Sequence, residues 1–395
     1  MASTEITVDA MLIKEYANED PNQHPFLLHL TTQAATAAAN FKRQRRHRLS
    51  RESVLPRRRR SLGHIVMHAV TFTFLPLRLC FNFLLCLWIG YKWIARFVSF
   101  LCYVAFISPG LLQVAYYYSY CGQIRKNIKY GDQPRNSNKA HGYLLGSQLS
   151  ERDIIVACLD YRNFPQGTMS DMIKDVSEGI SFVFNNIAEY GGDINRIYLM
   201  GQSAGAHITA CALVEQAIKE AGGEKVSWCV SRIKAYFGLS GGYNLINLKD
   251  HFHSRGLHRS IFLSIMEGEE SLQRFSPEVM VQDPKIEDAV SLLPHFILFH
   301  GTADYSIPLD SCKSFAEVLE RIGVKVETVL YKGKTHTDLF VQDPMRGGKD
   351  QLVEDLIFII HENDRDAFAR NPMARQRRRL VPELLLKLAC TVSPF

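Results

Sequence analysis

No C-x-x-C pair occurs among the nine cysteines of this 395-residue chain, and four of them (Cys80, Cys86, Cys102 and Cys121) lie in or beside one apolar region. That excludes a disulfide framework and fits a reducing compartment. No Asn-x-Ser/Thr sequon occurs either, which agrees with a cytosolic rather than a lumenal domain. Acidic residues are nearly absent from Lys42 to Arg60, where Glu52 alone faces Lys42, Arg43, Arg45, Arg46, Arg48, Arg51 and Arg57 to Arg60. Residues 1–60 also lack hydrophobic periodicity, so they are expected to form a disordered basic tail. The apolar neighbour of this tail favours contact with membrane lipids over nucleic acid. No long apolar run begins before about residue 60, which argues against a cleavable signal peptide. Ligand spacing is missing too. His251 and His253 stand two apart without acidic companions, so no metal site and no cofactor are expected.

What is present begins with the apolar region, residues 61–124. Arg78, Lys92 and Arg96 interrupt it, and a bilayer span needs roughly 20 apolar residues. Two transmembrane helices are expected, over 75–95 and 97–118, with an interfacial or third span conceivable near 65–77. Ser108-Pro109-Gly110 should kink or end the second. Arginines before the first span place the start of the chain in the cytosol, and Arg125, Lys126 and Lys129 agree with a cytosolic return.

Gly201-Gln202-Ser203-Ala204-Gly205 is the most informative stretch. A strand-like run, Ile197 to Met200, precedes it and a helix-like run from His207 to Ala221 follows, which is the context of a nucleophile elbow. Ser203 is the expected nucleophile. Its following helix aims amides at a developing oxyanion, with the Ala204 N–H as one donor. Gly238-Leu239-Ser240-Gly241-Gly242 fits the same pattern, but residues 243–247 after it show no comparable helix. Gln202, Gly241 and Gly242 are taken as further residues of the oxyanion and substrate site.

A triad on this fold runs Ser, then acid, then His along the chain. The apolar run Phe296 to Phe299 leads through His300-Gly301-Thr302-Ala303 to Asp304. A helix follows with Phe315, Val318, Leu319 and Ile322 at i, i+3, i+4 and i+7, then a strand from Val326 to Tyr331 and a loop carrying His336. Asp304 and His336 are thus the expected orienting acid and general base.

Asp160-Tyr161-Arg162, Gly191-Gly192-Asp193, Arg196 to Met200 and Gly201 to His207 resemble α/β-hydrolase esterases. Tyr130 to Asn136, Gly238 to Leu245, His251 to Gly256, Ile265 to Glu270 and His336 to Gly348 are similar to plant isoprenylcysteine α-carbonyl methylesterases. The resemblance implies hydrolysis of the methyl ester on the C-terminal prenylated cysteine of CaaX proteins, with prenylated, carboxyl-methylated proteins as partners. It also implies an endomembrane location, the endoplasmic reticulum and Golgi, with the catalytic domain facing the cytosol. One departure stands out. Such esterases carry a strand ending in a glycine-rich oxyanion loop, yet no apolar run and no paired glycines lie between Gly131 and Leu144.

The expected architecture is therefore α/β, an α/β-hydrolase fold with a mostly parallel sheet flanked by helices and a helical cap over 251–280, one central strand missing. The tail and membrane region precede a catalytic domain at 125–366, and residues 367–395 form a basic, amphipathic tail. Ile261, Phe262, Leu263, Ile265 and Phe275 of the cap are candidates to line an isoprenoid groove, with ordinary core packing the alternative. Two rival functions follow: a broader membrane carboxylesterase or lipid esterase, and a catalytically impaired isoform that binds prenylated tails.

Overall fold

Strands buried on both faces read as unbroken apolar runs, and the segments at 155–159, 197–200, 235–239 and 296–299 do so. The computed structural model describes residues 94–122, 124–125, 128–131, 140–362, 364, 366, 369 and 377–395, with strands at 6–8, 12–13 and 24–30. In chain order the elements are β1 (Ile6–Val8), β2 (Leu12–Ile13), β3 (His24–Leu30), α1 (Ile94–Tyr120), β4 (Ile124–Arg125) and β5 (Ile128–Gly131). There follow α2 (Ala140–Ser150), β6 (Ile155–Leu159), α3 (Met169–Asn186), β7 (Gly192–Gln202), α4 (Ala204–Ala221) and β8 (Ile233–Leu239). The cap helices are α5 (Leu245–Ser254), α6 (Arg259–Ile265) and α7 (Pro277–Met280). The chain then forms α8 (Glu287–Val290), β9 (His295–Gly301), α9 (Leu309–Arg321), β10 (Val326–Tyr331), α10 (Asp343–Arg346), α11 (Gln351–Ile360) and α12 (Glu383–Val392).

The main sheet has six strands in the order β10-β9-β8-β7-β3-β6, every pair parallel. Helices supply the faces. On α3, Met169, Met172, Ile173, Val176, Ile180 and Val183 fall at helical spacing and are all buried. The Thr168 N–H donates to the Asp171 carboxylate at 3.1 Å, a capping contact that starts this helix. α4 is buried on most of its surface and packs against β7 and β8, so the residue that joins β7 to α4 is held on both sides.

The sheet corrects one expectation. No strand lies between β5 and α2 among the described residues, yet the slot between β6 and β7 is filled. β3, from the segment expected to be a disordered tail, occupies it. Phe26 to Leu30 pair with Ile155 to Leu159 on one side and with Ile197 to Gly201 on the other. β1 and β2 likewise pair antiparallel with β5 and β4. The physical reason is that the facing edges of β6 and β7 would otherwise carry unpaired backbone groups, each costing about 1–3 kcal/mol when buried.

Two further differences are local. A helix does follow the second G-x-S-x-G, because Asn244 caps α5 by accepting the Asn247 N–H at 3.3 Å. α1 runs unbroken from Ile94 through Arg96 and Pro109, where a boundary and a kink were expected. Gln113 Nε2 donates to the Pro109 carbonyl at 3.0 Å and to the Leu380 carbonyl at 2.8 Å. A side chain at Gly110 would strike Val381, so this part of α1 is seated closely on the residues before α12. The spans expected at 75–95 and 65–77 lie outside the described residues, apart from the first residues of α1. The chain divides into two compact units: residues 1–34, 107–387 and 395 form the hydrolase unit, and 35–106 with 388–394 the other.

Candidate active site

The site grows from the end of β7. Ser203 sits between strand and helix at φ 55°, ψ −122°, a left-handed conformation that costs a non-glycine residue about 1–3 kcal/mol. A Cβ on Gly201 would lie 2.5 Å from the Ala206 Cα, so glycine is required for the turn to close. The Ser203 N–H donates to the Leu239 carbonyl of β8 at 2.8 Å, and the His207 N–H returns to the Ser203 carbonyl at 3.2 Å as the first bond of α4. The strain is thus held by a strand on one side and a helix on the other.

Asp304 stands three residues beyond β9. Its Oδ1 accepts the N–H groups of Ser306 at 2.8 Å and Ile307 at 2.9 Å, and its Oδ2 accepts His336 Nδ1–H at 2.7 Å. Burial pushes the Asp304 pKa up, but the hydrogen bonds from His336 and the Ile307 N–H outweigh it, so the carboxyl stays below its ordinary range. An ionised carboxylate only accepts, which puts the His336 proton on Nδ1. Nε2 then accepts from Ser203 Oγ–H at 2.9 Å. Ser203, His336 and Asp304 form one continuous relay, with the imidazole and the acid both buried.

The two loops meet because β9 and β10 are neighbours. The Thr302 N–H donates to the Tyr331 carbonyl at 2.9 Å and the Ala303 N–H to the Lys334 carbonyl at 3.0 Å. His300, buried beneath them, donates from Nε2 to the Ile307 carbonyl at 3.1 Å and lies 3.6 Å from Asp304 Oδ2. Burial lowers its pKa, which keeps it a neutral support. His251 of α5 contacts the Ser306 carbonyl at 3.1 Å, tying the cap to the loop that carries Asp304.

The remaining expected residues fall as follows. Gln202 is buried at the end of β7, Ala204 is the exposed first residue of α4, and Gly241 and Gly242 are buried just beyond β8. The Gly242 carbonyl accepts His207 Nδ1–H, and Cys211 Sγ lies 3.7 Å from His207 Nε2. Burial drives the His207 pKa down to about 4, so this histidine is a neutral clamp between α4 and the Gly241-Gly242 loop. Sequence reasoning missed that clamp. The signal was there in His207, four residues after Ser203 on the helix that follows it. Phe262 and Phe275, candidates for a groove, are core residues, whereas Ile261 is exposed. Ser240 also has a positive φ of 49°, but its buried Oγ has no hydrogen-bond partner among the described residues. No group of three or more His, Cys, Asp or Glu side chains among the described residues is placed to hold a metal ion.

Comparison with known proteins agrees with this geometry. Residues 131–319 match the BD-FAE family model. The chain is 58% identical to isoprenylcysteine alpha-carbonyl methylesterase ICME of Arabidopsis thaliana over 365 residues, covering 86% of each chain. It is 58% identical over 86% of its length to the probable methylesterase ICMEL1 of the same plant, covering 76% of that protein. With the probable ICME of Oryza sativa subsp. japonica the identity is 51%, over 86% of this chain and 88% of that one. Set beside a parallel sheet that presents a strained serine to a buried His–Asp pair, these identities assign the chain: it belongs to the isoprenylcysteine α-carbonyl methylesterase family of α/β-hydrolase esterases.

Proposed function

We propose that this esterase hydrolyses the methyl ester of C-terminal S-prenylcysteine, releasing methanol and a free carboxylate. The observation that carries the reading is His336, which bridges Asp304 and Ser203 at 2.7 and 2.9 Å in a chain so similar to named methylesterases. Ser203 Oγ attacks the ester carbonyl carbon while His336 Nε2 takes its proton. Asp304 keeps the imidazole oriented and stabilises the imidazolium. The carbonyl oxygen becomes an oxyanion facing the Ala204 N–H at the start of α4, with Gln202, Gly241 and Gly242 forming the adjoining wall. The tetrahedral intermediate then collapses: the carbonyl re-forms, the bond between its carbon and the methoxy oxygen breaks, and His336 gives the proton to the departing methoxide, which leaves as methanol with Ser203 acylated. Water, deprotonated by the same His336, attacks the acyl-enzyme, and the acid leaves.

α1 supports a membrane setting. It is long and apolar enough to cross a bilayer, and exposed Tyr116, Tyr117 and Tyr120 cluster at its end, where aromatic side chains favour the lipid–water interface. With basic residues flanking the apolar region, the hydrolase faces the cytosolic surface of endomembranes (endoplasmic reticulum and Golgi), where prenylated tails lie. The test is methanol release from an S-prenylcysteine methyl ester by the detergent-solubilised full chain. The reading fails if simple acyl methyl esters are cleaved as well as the prenylated one.

A further inference from the structure

Arg377, Arg378 and Arg379 form a basic run, and such a run is ordinarily a solvated face. Arg377 departs from that. Its side chain is 18% exposed, and its Nη2 donates to Ser147 Oγ of α2 at 2.8 Å. Glu151, just past the end of α2, lies 3.9 Å from Arg377 Nε. Burial pulls the Arg377 pKa down, and the charges of Glu151 and Asp350 oppose that pull. The backbone here is bonded as well. The Gly348 N–H donates to the Arg377 carbonyl at 3.2 Å, an isolated antiparallel bridge. The N–H groups of Leu380 and Val381 both donate to the Met345 carbonyl, at 2.9 and 3.3 Å. A Cβ on Gly347 would lie 2.7 Å from the Arg379 nitrogen, so the two backbones cross in direct contact. Arg379 Nε donates to the Arg346 carbonyl at 3.2 Å, and Arg346 pairs with Glu383 at the start of α12. Residues 377–383 therefore lie as a strap across α10 and the glycine turn after it.

α10 is the far end of the segment that carries His336. The π-helical turn Asp338–Gln342 runs directly into it, so no free chain separates the histidine from the strap. Thr335 donates its N–H at 2.7 Å and its Oγ1–H at 2.8 Å to Asp338 Oδ2, and Lys334 Nζ lies 2.7 Å from Asp343 Oδ2. The two residues before His336 are thus bound to the turn and to α10. Phe340 of the turn packs edge-on against the His336 ring, with centroids 6.3 Å apart. Met345, whose carbonyl takes both strap amides, is fully buried. We infer that residues 377–383 are a positioning strap for His336, anchored on α2 by Arg377, taking His336 as the general base. The strap holds the back of α10, and α10 holds the loop from which the imidazole reaches Ser203 Oγ at 2.9 Å. A misplacement of about 1 Å at that contact can cost a hundredfold in rate. Methionine at 377 would keep much of the volume but leave the Ser147 hydroxyl and Glu151 without their cation, freeing the strap from α2.

The experiment is a double-mutant cycle in the full chain, with ester hydrolysis expressed per folded molecule. Arg377→Met should lower kcat by about tenfold or more, with KM little changed. Arg377→Lys keeps a cation for Ser147 and Glu151, and because the Ser147 contact is single rather than forked it should recover most of the rate. In a His336→Ala background, Arg377→Met should leave the residual rate unchanged, since a residue that acts only through His336 then has nothing to position. A general loss of integrity would instead lower the rate equally in both backgrounds. That equal fall, or wild-type kcat in folded Arg377→Met, would overturn the strap. Full activity in His336→Ala would remove the base itself, and is seen separately from the Arg377 variants. Hydrogen exchange in the unaltered chain decides even if Arg377→Met fails to fold. The Leu380 and Val381 amides should exchange about 100-fold or more slowly than in a free peptide of that sequence. Peptide-like exchange there, beside a protected α11, would also overturn the inference.

Discussion

Gly301, the last residue of β9, lies directly beneath the carbonyl of Lys334, so that any side chain at 301 would collide with the loop that carries His336. This contact sets how close the Asp304 loop and the His336 loop can come. It explains why a small residue separates the buried strand from Asp304.

Gly301→Ala should therefore move His336 away from Ser203 without touching either residue. A displacement of about 1 Å is enough to cost on the order of a hundredfold in kcat. Steady-state kinetics should show that fall with KM little changed. Wild-type kcat in a folded Gly301→Ala protein would contradict the account.

Asp304→Asn keeps an oxygen for the Ser306 and Ile307 amides but turns an N–H toward His336 Nδ1. The imidazole would then carry its proton on Nε2, facing Ser203, and could not accept from the hydroxyl. A loss of ~10⁴ in kcat is expected, the size found when a hydrolase triad is held in the wrong tautomer. The thermal midpoint should change much less than the rate.

A pH effect on stability is expected away from the active site. Asp350 caps α11 by accepting the Val353 N–H at 3.3 Å and accepts Gln148 Nε2–H at 3.0 Å, and burial raises its pKa from 3.8 to about 6. An acid whose pKa is raised on folding costs stability above the folded value, and the cost disappears as pH falls through about 6 towards 3.8. At pH 8 that cost is about 3 kcal/mol at most. Asp350→Asn should consequently raise the thermal midpoint at pH 8, with the gain shrinking as the pH approaches 4. A gain independent of pH would show that charge burial is not its source.

Much of the site was legible because its parts are local. A serine between an apolar run and a helix, an acid just past a strand and a histidine on the next strand's loop each carry their context in neighbouring residues. Chain order then brought Ser203, Asp304 and His336 together. β3 was not legible. Seven residues, His24 to Leu30, are too few to separate from any short apolar run, and pairing across residues 31–154 leaves no local mark. α5 was missed because its cap at Asn244 follows two glycines, which read as loop. The continuity of α1 through Pro109 depends on Gln113 and on packing at Gly110, neither of which periodicity reveals.

The central claim is that Ser203, and not the similarly strained Ser240, attacks a prenylcysteine methyl ester. Methanol release from that ester by the full chain in detergent, compared with Ser203→Ala and Ser240→Ala, tests it most directly. Turnover should fall by at least about 10³ in Ser203→Ala and persist in Ser240→Ala. Activity retained by Ser203→Ala, or abolished by Ser240→Ala in a protein that remains folded, would contradict it.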